Sequence, residues 1–217
     1  FDKVHQSGEQ VTSIRFNPSK SSVVSREYLD SLIIHDSRLT THDKIPWCNN
    51  GFYLEQRPSF TFDPLFHAGT YYVQEASSMF LEQALKQTVD LTKPLKVLDL
   101  CASPGGKSTH IQSLLSKESL LVSNDVIRSR ANVLKDNIIK WGCENVVVTN
   151  NDPKDFSKLE NYFDVIVVDA PCSGSGLFRR DAEAIEEWSE NNVALCSQRQ
   201  QRILADVWPS LKKDGVL

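Results

Sequence analysis

The feature that most constrains the fold is an alternation of short apolar segments with amphipathic segments, which starts near Val97 and continues to the end of the chain. Strands that alternate with helices are typical of a mainly parallel sheet with helices on both faces. The fold class predicted from this pattern is α/β. The predicted strands are Lys96–Leu100, Leu120–Ser123, Asn145–Thr149 and Phe163–Asp169.

Three helices are predicted between and after these strands, over about 107–116, 128–141 and 194–211. The second carries apolar residues on one face and is followed by Gly142, a typical helix stop. The third has Ile203, Val207 and Leu211 spaced four residues apart, and Pro209 is expected to kink it or end it early.

Upstream the pattern changes, so we predict two domains, 1–68 and 69–217. The first is predicted as a small α+β module, with Val11–Phe16, Ser31–Ile34 and Gly51–Leu54 as weak strand candidates. A helix over Glu75–Lys86 is expected near the start of the second domain.

Cysteine and histidine usage points to a reducing compartment and to no metal site. The five cysteines are an odd, scattered set without a CxxC pair, and no two of the five histidines stand four residues apart. A cytoplasmic location is therefore expected. No apolar run approaches the ~18 residues that a membrane span requires, so no membrane partner is expected.

A formal net charge of −4 argues mildly against a nucleic-acid partner but leaves one open. The basic residues of the last third, Arg179 with Arg180, Arg199 with Arg202, and Lys212 with Lys213, are either a local binding surface or ordinary solvated surface.

Ligands of open α/β sheets bind beyond the carboxyl ends of the strands, so the segments that follow the strands predict the site. Cys101–Lys107 follows the first strand and contains a glycine pair that lets backbone approach a ligand before a helix N-terminus. Asp125, Asp152 and Asp169 follow the next three strands. This set favours a nucleoside cofactor, with Asp125 on the ribose and Asp152 near an adenine amino group.

A phosphate-binding loop is the competing interpretation of the glycine loop. Gly106-Lys107-Ser108 matches the end of the P-loop pattern, but Cys101 occupies the position where that pattern has its first glycine. A nucleotide hydrolase therefore stays as an alternative, and a tight structural turn is the simplest one.

The fourth strand leads into Asp169-Ala170-Pro171-Cys172, which sets a thiol beside a carboxylate. Such a pair suits chemistry at carbon 5 of cytosine, because that carbon becomes nucleophilic once a thiolate adds to carbon 6 and an acid binds ring nitrogen 3. Cys172 and Asp169 are therefore the catalytic candidates, with Lys107 or Arg180 as a cation that stabilises the thiolate. The alternative is a small buried hydrophobic cysteine.

Taken together, these segments resemble the Nop/Sun family of RNA cytosine-C5 methyltransferases, and within it the bacterial ribosomal RNA small-subunit methyltransferase F group. The resemblance covers nearly the whole chain and extends to 13–18, 45–48, 63–79, 101–107 and 169–176. It implies a Rossmann-like S-adenosylmethionine-dependent methyltransferase domain, incomplete at its C-terminal end, behind a small RNA-binding module.

The resemblance also implies roles for individual residues. The implied cofactor-binding residues for S-adenosyl-L-methionine are Cys101, Ala102, Ser103, Pro104, Gly105, Gly106, Lys107, Asp125, Arg130, Asp152 and Asp169. Arg130 is expected to support the Asp125 loop. Family members use two cysteines; Cys172 matches the one thought to assist product release, and the nucleophile is expected in a strand that begins at Gly215 and continues past Leu217.

Both ends of the chain are accordingly expected to be cuts, since Phe1 is not a natural start and the last residues read as the opening of a buried strand. With its last strands missing, the chain is expected to have weak or no activity and some tendency to associate. The implied partner is RNA, ribosomal RNA or the small ribosomal subunit ahead of transfer RNA. A non-catalytic RNA-binding module is a further alternative.

Overall fold

The computed structural model describes residues 11–20, 41–178, 181 and 183–217. The first sheet is antiparallel and consists of β1 (Thr12–Phe16), β2 (Thr41–Lys44), β3 (Gly51–Leu54) and β4 (Tyr71–Val73), in the order β2-β3-β1-β4. Its apolar face gathers Ile14, Leu54 and Tyr71 with several phenylalanines. A short helix, α1 (Pro64–His67), precedes β4, and Asp63 caps it by accepting a hydrogen bond from Leu65 N.

The second sheet is parallel, in the order β7-β6-β5-β8-β9. Its strands are β5 (Lys96–Asp99), β6 (Leu120–Asn124), β7 (Val146–Thr149), β8 (Phe163–Val167) and β9 (Leu211–Val216). The helices are α2 (Leu81–Thr88), α3 (Gly106–Leu114), α4 (Arg128–Trp141), α5 (Glu183–Glu186) and α6 (Glu190–Val207). The predicted α/β class is confirmed. In the described part of the chain, no helix combines the length and the apolar character that a bilayer span requires.

Helices cover this sheet on both faces because neighbouring residues of a strand point in opposite directions. Leu98 packs with Ile203 and Val207 of α6, whereas Val97 packs with Leu85 of α2 and Ile111 of α3. The chain runs from β5 outward to β7 and then crosses to β8 on the other side of β5. The carboxyl ends of β5 and β8 therefore flank the crevice where ligands bind in such sheets.

Most predicted elements of the second domain are confirmed, α4 with the bounds given above. Gly142 adopts a left-handed φ of 86° and donates its N–H to Ile138 O, which ends the helix as predicted. The helix predicted over Glu75–Lys86 begins as a 3-10 turn at Ser77–Phe80 and continues as α2. In the first domain, two strand candidates are confirmed: Val11–Phe16 corresponds to β1, which begins at Thr12, and Gly51–Leu54 is β3. The third candidate, Ser31–Ile34, lies outside the described residues.

The last predicted helix was wrong at both ends. It begins four residues earlier than predicted because Ser189 caps it by accepting a hydrogen bond from Asn192 N. It ends at Val207, before the 3-10 turn Trp208–Ser210 that contains Pro209, so Leu211 opens β9 instead of closing the helix. The final strand therefore starts at Leu211 and not at Gly215.

β2 and β4 were not predicted. β2 has the sequence THDK, which lacks an apolar alternation, and β4 is only three residues long. β4 follows the predicted domain boundary at residue 68, yet it pairs with β1 through Ile14↔Val73 and Phe16↔Tyr71.

The first sheet is joined to the second domain mainly by two buried polar side chains of its β1 segment. Asn17 donates from Nδ2 to Gly69 O at 3.0 Å and to Trp141 O at 2.9 Å. Arg15 is 1% exposed and reaches α3, where it donates to Gly106 O at 3.2 Å and to Thr109 Oγ1 at 2.7 Å. These contacts place the first sheet behind the helix that follows the glycine loop.

Candidate functional site

A cavity of about 320 Å³ lies beyond the carboxyl ends of β5, β6 and β8. Cavities of this size, roughly 300–1,000 Å³, are typical of small-molecule sites. Four of the predicted site residues line it: Cys101, Asp125, Arg130 and Asp169.

The glycine loop meets this cavity through Cys101, its first residue. Ala102 N donates to Asn124 O at 2.8 Å, and Gly105 N donates to Ala102 O at 2.8 Å. Gly105 has φ 111°, and a Cβ there would lie 3.2 Å from Leu134 Cδ1, so both the backbone angle and the packing favour glycine. Helix α3 starts at the next residue, which directs its free N–H groups toward the loop.

Asn124 ties the ends of the strands together. It is fully buried; its Nδ2 donates to Leu100 O and Asn151 O, and its Oδ1 accepts from Thr149 Oγ1 and Asn151 N, at distances of 2.9–3.2 Å. Its side chain thus fixes the loops after β5 and β7 relative to β6. This role of Asn124 was not predicted, because an asparagine at the end of a strand gives no local sign of the loops that it will contact.

Asp125 is held on the cavity wall by both of its carboxylate oxygens. Oδ1 accepts from Ile127 N at 2.9 Å, and Oδ2 lies 3.2 Å from Arg130 Nε. Arg130 also donates to Ser103 O at 3.1 Å, and Ser103 Oγ donates to Arg130 O at 2.9 Å. The arginine therefore connects the loop after β6 with the glycine loop.

Asp152 occupies a different environment from the other predicted carboxylates. Its side chain accepts from Lys154 N at 3.2 Å and caps the 3-10 segment Pro153–Lys158, and it is Pro153 that lines the cavity. The adjacent loop is held by Asn150, whose Nδ2 donates to Asp125 O at 2.7 Å.

Lys107 and Asp169 connect the glycine loop with the end of β8. Lys107 Nζ lies 2.6 Å from Asp169 Oδ2, and both side chains are partly exposed at the site. Lys107 therefore has a carboxylate partner. Arg180, the other predicted cation, lies outside the described residues.

Cys172 is exposed, and α6 supports the segment that precedes it. Gln200 Nε2 donates to Pro171 O at 3.0 Å, and Arg199 and Arg202 line the cavity beside Pro171. The helix pattern alone did not place these arginines at the site, because their position depends on how α6 packs on the sheet.

Burial shifts the pKa of two acidic groups near the end of β5, Asp99 in the strand and Cys101 in the cavity lining. Burial raises the pKa of Asp99 to about 6, although a hydrogen bond from Ser108 Oγ at 2.7 Å opposes the shift. Burial also raises the pKa of the Cys101 thiol to about 11, and the neighbouring Asp99 and Asp125 carboxylates add to the shift. Cys101 is therefore protonated at neutral pH and is a weak nucleophile. Asp99 was not among the predicted site residues.

Comparisons with known proteins agree in one family. The family model described as 16S rRNA methyltransferase RsmB/F matches residues 86–217, and the model for the N-terminal domain of 16S rRNA methyltransferase RsmF matches residues 1–76. Ribosomal RNA small subunit methyltransferase F of Serratia proteamaculans is 36% identical over 211 residues, which are 94% of this chain and 42% of that protein. The same-named protein of Aeromonas salmonicida is 38% identical over 181 residues, 81% of this chain and 38% of that protein.

Solved structures share the fold. A methyltransferase homolog protein from Pyrococcus horikoshii has a TM-score of 0.77 and 28% identity, with 99% of this chain and 65% of that chain covered. NSun6 from the same organism has a TM-score of 0.82 at 18% identity, with 99% and 77% covered, and shows the fold alone. The chain spans about two fifths of the length of the curated relatives it matches.

Proposed function

This chain belongs to the RsmB/F family of 16S rRNA methyltransferases, and we propose on that basis that it binds S-adenosyl-L-methionine and methylates 16S ribosomal RNA. The observation that carries the proposal is the cavity at the carboxyl ends of β5, β6 and β8, which is lined by Cys101 of the glycine loop and by Asp125. An enzyme with this substrate works in the cytoplasm.

The residues around the cavity fit this cofactor. Asp125 presents a carboxylate with lone pairs left for the two ribose hydroxyls, held in place by Ile127 N and Arg130. The exposed apolar side chains of Val126 and Ile127 form the adjoining wall, which suits a planar base. The free N–H groups of the first turn of α3 suit the carboxylate of the methionine part.

Asp152 is assigned a supporting role. Its own side chain caps the 3-10 segment, and Pro153 beside it contributes to the cavity wall. We therefore propose that the loop after β7 positions the adenine mainly through Pro153 and backbone groups, while the Asp152 carboxylate fixes the conformation of that loop.

We further propose that the methyl acceptor is carbon 5 of a cytosine. Bound S-adenosyl-L-methionine supplies an electrophilic methyl group on a sulfonium. Asp169 lies on the cavity wall and is assigned the contact with ring nitrogen 3, and Lys107 fixes the orientation of its carboxylate. Cys172 lies three residues after Asp169 and is exposed, so it is assigned the thiol that assists product release.

The chemistry requires the base to leave its stack, at a cost of a few kcal/mol that is lowest in an unpaired region. Addition of a second thiolate, distinct from that of Cys172, to carbon 6 would make carbon 5 nucleophilic. Carbon 5 would then take the methyl group and leave the donor sulfur as a thioether; loss of the carbon-5 proton to a base would release the thiolate from carbon 6. Arg199 and Arg202 line the cavity and are assigned to the phosphates that flank the everted base.

Calorimetric titration of the chain with S-adenosyl-L-methionine, without magnesium, tests cofactor binding. We expect one site, and we expect Asp125→Asn to weaken binding by about 10- to 100-fold, because a hydrogen bond to a charged group contributes about 1.5–3 kcal/mol. Asp136→Asn is the matched control, since Asp136 is an exposed carboxylate on α4. Binding of a nucleoside triphosphate that depends on magnesium, with no affinity for S-adenosyl-L-methionine, would instead support the nucleotide hydrolase alternative.

The substrate is tested with the full-length protein, radiolabelled methyl donor and purified 16S ribosomal RNA, with transfer RNA offered in parallel. We expect label in the 16S RNA and, in bisulfite sequencing of the product, one cytosine that becomes protected. Label in transfer RNA alone contradicts the ribosomal assignment, and label in 16S RNA without a protected cytosine contradicts the carbon-5 assignment. Tight RNA binding by a chain that has no cofactor affinity would support a non-catalytic RNA-binding module.

A further inference from the structure

A buried cluster of three potential metal ligands lies away from the cavity, where the first sheet meets the second domain. Cys48 lies in the turn between β2 and β3, Glu82 lies in α2, and His110 lies in α3. These side chains come from three separate segments, yet each residue is at most 2% exposed. The cysteine and the histidine are 62 residues apart, which is why sequence spacing gave no sign of a site.

The ligand atoms converge on one point. Cys48 Sγ lies 3.8 Å and Glu82 Oε2 lies 3.0 Å from His110 Nε2, and all three atoms lie within 4.8 Å of one another. A tetrahedral zinc ion at its usual bond lengths separates a sulfur from a nitrogen by about 3.6 Å and a nitrogen from an oxygen by about 3.3 Å. The observed separations differ from these by a few tenths of an ångström, so little movement is needed to bind an ion.

The three side chains share hydrogen bonds that centre on the carboxylate, since both His110 and Cys48 are hydrogen-bonded to Glu82. His110 Nε2 faces both the sulfur and the carboxylate, whereas a ring nitrogen carries only one proton and can serve one of them. The other ring nitrogen, Nδ1, has no hydrogen-bond partner among the described residues. An ion at the centre of the triangle contacts the sulfur, the nitrogen and the oxygen at the same time.

We propose that Cys48, Glu82 and His110 form a structural zinc site that joins the first sheet to α2 and α3. The donor set of thiolate, imidazole and carboxylate is one that zinc takes in proteins. The thiolate and the carboxylate balance the two positive charges of the ion. Lys86 is paired with the other oxygen of Glu82 at 2.5 Å, but its side chain is 37% exposed and can turn to solvent when the ion binds.

The site has three protein ligands from the described residues, and water completes the tetrahedron. Ile45 and Met79 are buried beside Cys48, and the buried Arg15 guanidinium is an electrostatic neighbour of Cys48, Glu82 and His110. Cys48 belongs to the segment between two strands of the first sheet, and His110 belongs to α3. An ion bound by both would therefore stabilise the contact between the first sheet and the helix that follows the glycine loop. This role is independent of whether the cavity binds a methyl donor.

Cobalt substitution tests the proposal. The chain is stripped of metal with a chelator and titrated with Co²⁺, and we expect a thiolate-to-cobalt charge-transfer band that saturates at one equivalent and is lost when Zn²⁺ is added. Cys48→Ser and His110→Gln are expected to abolish the band. His110→Gln keeps a polar side chain next to Glu82, and circular dichroism verifies that both variants are folded.

Cys196→Ser is the matched control, because Cys196 is also free and buried but lies in α6, outside the cluster. It should keep the full band. A second measurement is thermal unfolding: Zn²⁺ is expected to raise the Tm of the unchanged chain and of Cys196→Ser and to leave that of His110→Gln unchanged. The proposal is wrong if the unchanged chain shows no band, or if the band survives in both cluster variants.

Discussion

Replacing Arg15 by alanine removes a buried side chain that donates three hydrogen bonds where the first sheet meets the second domain. Arg15 is buried; its Nε donates to Gln74 Oε1 at 2.9 Å, and its guanidinium contacts two groups of α3 and lies 4.7 Å from the centre of the Trp141 ring. Each hydrogen bond from a charged donor contributes about 1.5–3 kcal/mol, and these contributions overlap. We expect Arg15→Ala to lower the free energy of unfolding by about 3–5 kcal/mol, a large part of the ~5–15 kcal/mol typical of a domain.

Chemical denaturation measures this loss directly, and differential scanning calorimetry should show a Tm lower by roughly 10 °C for a chain of this size. Arg57→Ala is the matched control, because Arg57 also lies over an aromatic ring, Phe60, but is exposed. It should change stability by less than ~0.5 kcal/mol. If Arg15→Ala cost less than about 1 kcal/mol, the inference that Arg15 connects the sheets would be refuted.

Three further predictions concern single residues. Gly69→Ala should destabilise the chain by more than about 2 kcal/mol in chemical denaturation, because Gly69 has φ +68° and its new Cβ would meet Lys140 O at 2.1 Å, whereas Gly176→Ala, with nothing within 4 Å, should be neutral. Burial raises the pKa of Asp99 to about 6 from an ordinary value near 3.9, so protonation of Asp99 favours the folded state. The contribution of the protonated carboxyl to the free energy of unfolding is fully present below about pH 4 and is lost as the pH rises through 6. Asp99→Asn should therefore remove about 3 kcal/mol of the stability loss between pH 4 and pH 7, and an unchanged pH profile would contradict the burial argument. Asn124→Ala should lower the free energy of unfolding by about 3 kcal/mol in chemical denaturation, because it leaves the loops after β5 and β7 without their shared hydrogen-bond partner. A change near zero would show that these loops do not depend on Asn124.

The sequence determined the parts of this protein that depend on local physics. Periodicity and helix stops operate within about fifteen residues, so the alternation of strands and helices, the bounds of α4 and the stop at Gly142 could be predicted. The order of a parallel sheet then brings strand ends to one edge, which is why the glycine loop and Asp125 could be expected to lie close together. Their positions at one cavity follow from that rule.

Tertiary structure decided the contacts that join distant segments. β4 is too short to be recognised by its own sequence pattern, and it forms because its backbone pairs antiparallel with β1. Arg15 donates a hydrogen bond to Thr109, which is 94 residues away in the chain. Cys48 contacts His110 only because the first sheet packs against α3. Arg199 and Arg202 reach the cavity because α6 lies against the sheet at one particular rotation. No local signal encodes such contacts, since each depends on the summed packing of elements that are far apart in the chain.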